Sequence, residues 1–297
     1  NGLVGSEMCI RDSSWDTDPR GINVGGWGLS VTTEDISKLG QLYLQKGRWD
    51  GKQLLSEAWV EEATGYQTSN GSNPHSDWEQ GYGYQFWQCR HNAYRGDGAF
   101  GQYCIVMPEQ EVVLAITSGS DDMQGILNVV WEYLLPALGD GELPADPEGQ
   151  KQMEQKLKSL AINTAEGAQS SPMAGDITGQ SYSLEENDLG IETITFDFVG
   201  DVPEISLSSE GGDFSIKAGY ETTEKAILAD NLGNAQKVAV SGAWEAENSF
   251  VVEVIFYETP QSARHTFSFE GNALSWEIEN SASFGPRKLP TITGAHP

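Results

Sequence analysis

The chain has 297 residues, enough for about two domains, and its 38% hydrophobic and 10% aromatic content suits globular cores rather than a disordered polymer. Lys and Arg total 17 against 44 Asp and Glu, and the resulting net charge of −27 excludes nucleic acid and an anionic membrane surface as partners. That acidity reads first as a solubilising surface and second as attraction for a cationic substrate.

No run reaches the roughly eighteen apolar residues of a membrane span, and the N-terminal residues lack the basic-then-apolar pattern of a secretory signal. Cys9, Cys89 and Cys104 form neither a C-x-x-C pair nor a metal-ligand spacing, so free buried thiols are expected. No cofactor and no metal site is implied. The oligomeric state and the compartment stay open, with a slight preference for the cytoplasm.

In chain order, residues 1–13, "NGLVGSEMCIRDS", have no periodicity and resemble translated sequencing-adapter read-through, so they are set aside from fold reasoning. The expectation is that the true N-terminal part of the protein is missing. "WDTDPRGINVGGWGLS" is a Gly-rich loop that leads into a helix capped by Thr32 or Thr33, with Glu34 and Asp35 in its first turn. Ile36, Leu39 and Tyr43 recur there at helical spacing, and Gly47 ends it. After the turn "RWDGKQ", Ser56 caps a short helix that buries Trp59, Val60 and Ala63 and stops at Gly65. "GYGYQFWQ" alternates Tyr82, Tyr84 and Phe86 like a strand, and these aromatics belong to the core or to a cleft wall.

"AFGQYCIVM" and "EVVLAIT" read as two further strands with a turn at Pro108-Glu109-Gln110, and glycines crowd the start of the first. A helix begins between Ser118 and Asp122, with Ile126, Leu127, Val130, Tyr133 and Leu134 as its apolar face. "GDGELPADPEG" breaks the composition, and a connecting helix follows with Met153, Leu157 and Leu160 turned inward. From about Asp176, short alternating runs separated by Gly, Asn, Asp and Pro describe an all-β sandwich or barrel of about seven or eight strands.

The order "GGWGLSVTTEDISKLGQLYLQKGRWDGKQLLSEAWVEEAT", "GYGYQFW", "RGDGAFGQYCIVMPEQEVVLAI" resembles the serine hydrolases of the class C β-lactamase and penicillin-binding-protein superfamily, nearest the esterase and 6-aminohexanoate-dimer-hydrolase-like branch. The resemblance runs from Trp15 to about Leu138. It implies an α+β fold: the C-terminal part of a β-lactamase-like domain, an antiparallel sheet with covering helices, over residues 14–139. A linker with a short helix (140–175) and an all-β sandwich or lipocalin-like barrel (176–297) complete the expected organisation.

In that family the nucleophile is the Ser of S-x-x-K, a Tyr of Y-x-N helps move its proton, and a K-T-G or H-x-G strand lines the site. No Ser here has Lys three positions later, and no Tyr-x-Asn occurs. Thr222-Thr-Glu-Lys225 is a chance imitation in the β region. Both motifs lie upstream of the "GGWGLS" segment in the family, so a missing upstream part is expected and this chain alone should be inactive.

The third motif has a counterpart. Gly98 takes the place of its glycine, Gly96 stands where Lys or His would be, and Asp97 occupies the middle. By the resemblance, the N–H of Ala99 is the second oxyanion donor. Asp97 either binds a cationic substrate group or pairs with Arg95. Trp27, Tyr84 and Gln102 are candidate cleft-wall residues, although Trp27 reads first as a buried structural tryptophan. The alternative role for the strand is a glycine bulge without chemistry.

The implied activity of the intact protein is acyl transfer to water from a small-molecule or short-peptide ester, amide or β-lactam-like substrate. The alternative is an inactive penicillin-binding-like protein that binds a ligand or scaffolds a partner. His75, His91, His265 and His296 lack a Ser–His–Asp setting or a second metal ligand. For the β region, a substrate-gating or partner-binding module and a stabilising lid both stay open.

Overall fold

Local chemistry sets the first elements in the computed structural model, which describes residues 13–139, 141, 144–229 and 235–297. All but Ser13 of the adapter-like segment lies outside the described residues. The chain divides into two compact units, one ending at Ala145 and the other beginning at Asp146.

In the first unit, β1 (Ser14–Trp15) pairs with β2 (Leu29–Ser30) across the Gly-rich loop. Helix α1 (Thr33–Leu44) begins at Thr32, whose Oγ1 accepts from the Asp35 N–H at 3.1 Å. Its buried face is centred on Gly40, while Leu39 is exposed, contrary to the expected stripe. A Cβ on Gly40 would lie 2.5 Å from Val113 Cγ1 and 2.8 Å from Cys104 Sγ, so the helix sits closer to the sheet than a side chain would permit.

The hairpin β3 (Arg48–Trp49) and β4 (Lys52–Gln53) turns through Asp50 and Gly51 at φ 48° and 75°, the conformation that Asp-Gly favours. Helix α2 (Glu57–Thr64) is capped by Ser56 and buries Val60 and Ala63; Trp59 is exposed rather than buried.

A four-stranded antiparallel sheet follows, in the order β5 (Trp87–Gln88), β6 (Tyr94–Gly98), β7 (Gln102–Met107), β8 (Val112–Ile116). Two expectations are corrected here. "GYGYQFWQ" is not one strand: Gln85 takes φ 66°, the chain bends, and only Trp87–Gln88 pairs in β5. The glycines do not open β7 but form β6, with a tight turn through Ala99, Phe100 (φ 66°) and Gly101 (φ 91°).

Helix α1 covers one face of the sheet, where Cys104 Sγ lies 3.3 Å from the Ile36 carbonyl. On the other face Tyr103, Ile105 and Met107 pack with Leu127, Val130 and Trp131 from α3 (Met123–Val129) and its continuation. That continuation, Val130–Leu134, is wound as a π-helix, which rotates the apolar stripe and leaves Tyr133 exposed, another departure from helical spacing.

In the second unit, α4 (Pro147–Lys158) starts at the Asp146 cap and buries nothing; Met153, Leu157 and Leu160 are exposed, so the inward face expected for this helix is not formed. After the short α5 (Ala174–Ile177), one ten-stranded antiparallel sheet takes up the rest of the unit, against the seven or eight strands expected. Its strands are β9 (Ser181–Leu184), β10 (Ile191–Asp197), β11 (Glu204–Ser209), β12 (Gly212–Lys217), β13 (Glu224–Ala229), β14 (Ala235–Ala246), β15 (Ser249–Phe256), β16 (Ser262–Glu270), β17 (Ala273–Asn280) and β18 (Ile292–Ala295).

The order is β12-β11-β10-β9-β18-β17-β16-β15-β14-β13, and the two end strands come back into contact. The sheet therefore curls into a nearly closed barrel rather than splitting into a sandwich. Near β12, Gly219 bridges in parallel to Ser241 of β14, which joins the ends at one level. Period-two alternation drives this: Val252, Val254 and Phe267 point in, while Glu253 and Arg264 form an ion pair outside at 2.6 Å.

Candidate active site

The candidate strand β6 presents two different faces. Tyr94 pairs with Val106 and Gly96 with Cys104, so Gly96 and Gly98 lie on the face that α1 covers. Arg95 and Asp97 lie on the other face. A Cβ placed on Gly96 would meet nothing within 4 Å, so open space lies over this part of the strand.

The strand's outer edge is also open. β5 reaches only Tyr94 and Arg95, through Gln88 and Trp87, and among the described residues no strand pairs with Gly96–Gly98 on that side. Such an edge offers backbone N–H and C=O groups to an incoming acyl or peptide group. β5 stops there because Gln85, in the left-handed region, turns the chain away.

The opposite face is a charged network sealed in aromatic rings. Arg95 is 0% exposed; its guanidinium lies 4.4 Å from the Trp78 ring centre, 5.5 Å from Trp87 and 5.9 Å from Tyr103. Its Nε donates to Asp97 at 2.9 Å and its Nη1 to the Asp77 carbonyl at 2.8 Å. Asp97 is thus engaged by Arg95. Burial raises the Asp97 carboxyl above the usual range, and Arg95 offsets part of that rise.

Asp77 is the second anchor, and its position in the polar loop "QTSNGSNPHSDWEQ" carried no local signal for this. It is 0% exposed and accepts from Arg90 Nη2 at 2.8 Å, Gln124 Nε2 at 2.7 Å, Trp131 Nε1 at 3.0 Å and the Arg90 backbone N–H at 2.8 Å. Desolvation opposes its charge, yet these donors outweigh it and hold the carboxyl below the usual range. The loop that carries Trp78 and Arg90 is thereby tied to α3.

The turn beyond β6 is braced from a third direction. Ser118 Oγ donates to the Phe100 and Gly101 carbonyls at 2.9 and 3.0 Å, and the Ser120 N–H donates to Phe100 at 3.0 Å. Gln102 Nε2 bonds the Ser118 carbonyl, so Gln102 closes the turn. Ala99 sits exposed at the tip.

The sequence-derived candidates are thus brought together only in part. Gly96, Asp97, Gly98, Ala99 and Gln102 share one hairpin. Tyr84 lies instead on α2, its OH donating to Glu62 at 3.0 Å and its ring 5.7 Å from Trp59. Trp27 is 67% exposed in the Gly-rich loop, which corrects the reading of a buried structural tryptophan.

Cys89 and Cys104 are free and buried, and burial pushes both thiols up to about 11, which makes them inert rather than nucleophilic. Among the described residues no three His, Cys, Asp or Glu gather as a metal site, and no helix is long and apolar enough to cross a membrane.

Residues 6–135 match the family model described as Beta-lactamase. The first unit contains a beta-lactamase-like domain. The match begins within the segment set aside above as adapter-like. Among solved structures, the chain is similar to a Bacillus anthracis protein named as a 6-aminohexanoate-dimer hydrolase, at 22% identity and a TM-score of 0.33, covering 39% of this chain and 31% of that one. The chain therefore spans about a third of that protein's length.

It is also similar to a Schistosoma mansoni fatty acid binding protein in complex with arachidonic acid (12% identity, TM-score 0.31, 42% of this chain and 98% of that one). A fatty-acid-binding protein of Drosophila melanogaster brain gives 13% identity and a TM-score of 0.31, over 41% and 99%. No curated protein matches the chain.

Proposed function

We propose that residues 14–139 supply the oxyanion-side strand of a serine hydrolase that forms an acyl-enzyme on an ester, amide or β-lactam-like carbonyl and releases it with water. In this reading, residues 140–175 are a linker and residues 176–297 an accessory β domain. The observation that carries it is the open edge of β6 at Gly96–Gly98, with free space over Gly96, in a segment that matches the beta-lactamase family model. The branch is that of the esterases and 6-aminohexanoate-dimer hydrolases.

A serine hydroxyl needs a base within hydrogen-bond reach and N–H donors for the charge that develops on the carbonyl oxygen. The Ala99 N–H, at the tip of a turn held by Ser118 and Gln102, is the donor this chain supplies. Glycine at 96, with open space over it, lets the acyl group lie against the strand, and Gly98 lets Gln102 pack close to it. Asp97 and Arg95 hold the strand from behind and take no part in the chemistry. The nucleophilic Ser, its Lys and the Tyr come from residues outside these 297, since no Ser-x-x-Lys or Tyr-x-Asn occurs within them.

The test is fluorophosphonate labelling, mapped by mass spectrometry, on this chain and on the product of the gene's complete reading frame. The expected result is no adduct on this chain and one adduct on the complete product, at the Ser of a Ser-x-x-Lys. An adduct on a Ser of this chain, or a complete product that lacks both motifs, would overturn the proposal. The second outcome would leave the non-catalytic ligand-binding reading in its place.

A further inference from the structure

The barrel is filled at one end and hollow at the other. Tyr182, Phe196, Phe198, Trp244, Phe250 and Phe269 pack ring against ring, with Phe198 and Phe250 4.9 Å apart and Phe196 and Phe269 5.2 Å apart. These rings sit on β9 and at or just beyond the ends of β10, β14, β15 and β16 nearest the Gly219 bridge. At the other ends of the same strands the inward side chains do not fill the interior. They leave a cavity of about 750 Å³ whose wall includes Ile191, Leu207, Phe214, Leu228, Val254 and Phe256. Volumes of this order hold small-molecule ligands.

The wall carries no charge: among the described residues no Asp, Glu, Lys or Arg lines it. Its polar groups are neutral amides and hydroxyls, such as Gln236, Gln261 and Asn280, together with His265. Trp276 Nε1 donates to His265 Nδ1 at 3.1 Å. A ring nitrogen that accepts is unprotonated, so the proton of the neutral ring is on Nε2, which is left as a donor. Desolvation lowers this histidine to about 4, so it carries no charge at neutral pH.

A buried carboxylate is held best by a cationic partner, and among the described residues this wall offers none, whereas its neutral amides and hydroxyls suit an uncharged polar group. The net charge of −27 also disfavours an anion approaching from solution. We propose that the hollow end of the barrel is a binding site for an uncharged, largely apolar small molecule with one hydrogen-bonding group, of the long-chain alcohol or neutral ester class, and that it rejects the corresponding carboxylate. The apolar body fills the space between Leu207, Leu228 and Val254, and the polar group pairs with His265 or with the amides of the wall. This proposal stands independently of the hydrolase reading.

The experiment uses the full chain at pH 7.5 and the neutral fluorescent probe N-phenyl-1-naphthylamine, displaced by dodecan-1-ol or by dodecanoate. The site predicts saturable probe binding, and displacement by the alcohol roughly tenfold or more tighter than by the carboxylate. Absence of saturable probe binding, or equal or stronger displacement by dodecanoate, overturns it. Val254→Trp, which fills the cavity, should abolish probe binding with the far-ultraviolet circular dichroism retained. If that variant does not fold, Leu228→Trp nearer the strand end serves the same purpose, and unchanged probe binding in a folded variant again overturns the site. His265→Leu should weaken the alcohol by about fivefold while leaving the probe's own affinity unchanged, because only the alcohol uses the ring as a hydrogen-bond partner.

Discussion

The sheet of the first unit and the barrel of the second solve the same packing problem with opposite chemistry. β6 buries Arg95 with Asp97 against aromatic rings, the preceding loop pairs the half-buried Arg90 with the buried Asp77, and a strand edge is left bare. The barrel keeps its ion pairs, such as Arg264 with Glu253 and Lys237 with Glu258, on the outside and lines its interior with uncharged groups. Buried charge fixes geometry, because a pair that loses one member is costly, whereas an apolar wall can surround a cavity without leaving polar groups unpaired. The first arrangement suits an edge that must hold a reacting group in place, and the second suits a cavity that adapts to an apolar guest.

The largest effect should come from breaking the first network. Asp77→Ala removes the acceptor of Trp131 Nε1 and the carboxylate partner of Arg90 and Gln124, which keep only Asn128, and is expected to cost about 3–5 kcal/mol. Hydrogen exchange should show the loss in Tyr94–Met107 and not in Ser249–Phe256. A uniform loss across both units would remove the contrast between them.

Acid should separate the units in the opposite order. The folded pKa of His265, about 4, lies below its ordinary 6.5, so the neutral ring contributes stability that is fully present above 6.5 and is lost as pH falls towards 4. That gap corresponds to about 3 kcal/mol at most. Asp77 is also depressed, from an ordinary 3.8, so its contribution is intact above that value and is lost only as pH falls through its lower folded pKa. Barrel Trp276 fluorescence and exchange should therefore respond between pH 6.5 and 4, before the β6–β7 hairpin loosens, and His265→Leu should abolish that early response.

A smaller contrast lies within the first unit. Gly40→Val forces a side chain into Val113 and Cys104 and is expected to cost about 1–3 kcal/mol in urea unfolding. Gly96→Ala, with nothing within 4 Å of the added carbon, should change stability by less than about 0.5 kcal/mol. If the edge lines a site, Gly96→Ala in the complete protein should still slow fluorophosphonate labelling. Equal labelling rates would assign Gly96 to folding alone.

Much of the local structure was legible because it rests on nearby residues. The Thr32 and Ser56 caps, the Asp50-Gly51 turn and the strands from Ala235 to Asn280 each follow from local side-chain chemistry or from period-two alternation. The failures share a different cause. β11 and β13, "EISLSS" and "EKAILA", have weak apolar contrast, and β18 has only four residues, so no strong alternation marks them. Leu39, Trp59 and Tyr133 carry the right spacing, yet a glycine contact, a short helix and a π turn set which face is buried.

The glycines of "RGDGAFG" marked the candidate strand. What leaves its edge bare, the early end of β5, depends on the backbone of Gln85, and the support beneath it on Asp77, eighteen residues from Arg95 in sequence. Neither has a signature a linear reading can find.

A crystal structure of the fluorophosphonate adduct, formed on the product of the gene's complete reading frame, would show whether the bare edge of β6 faces a reacting carbonyl. The phosphoryl oxygen should lie about 2.7–3.1 Å from the Ala99 nitrogen, with the inhibitor chain along Gly96–Gly98. An adduct whose phosphoryl oxygen is held by other donors, with Gly96–Gly98 untouched, would contradict it.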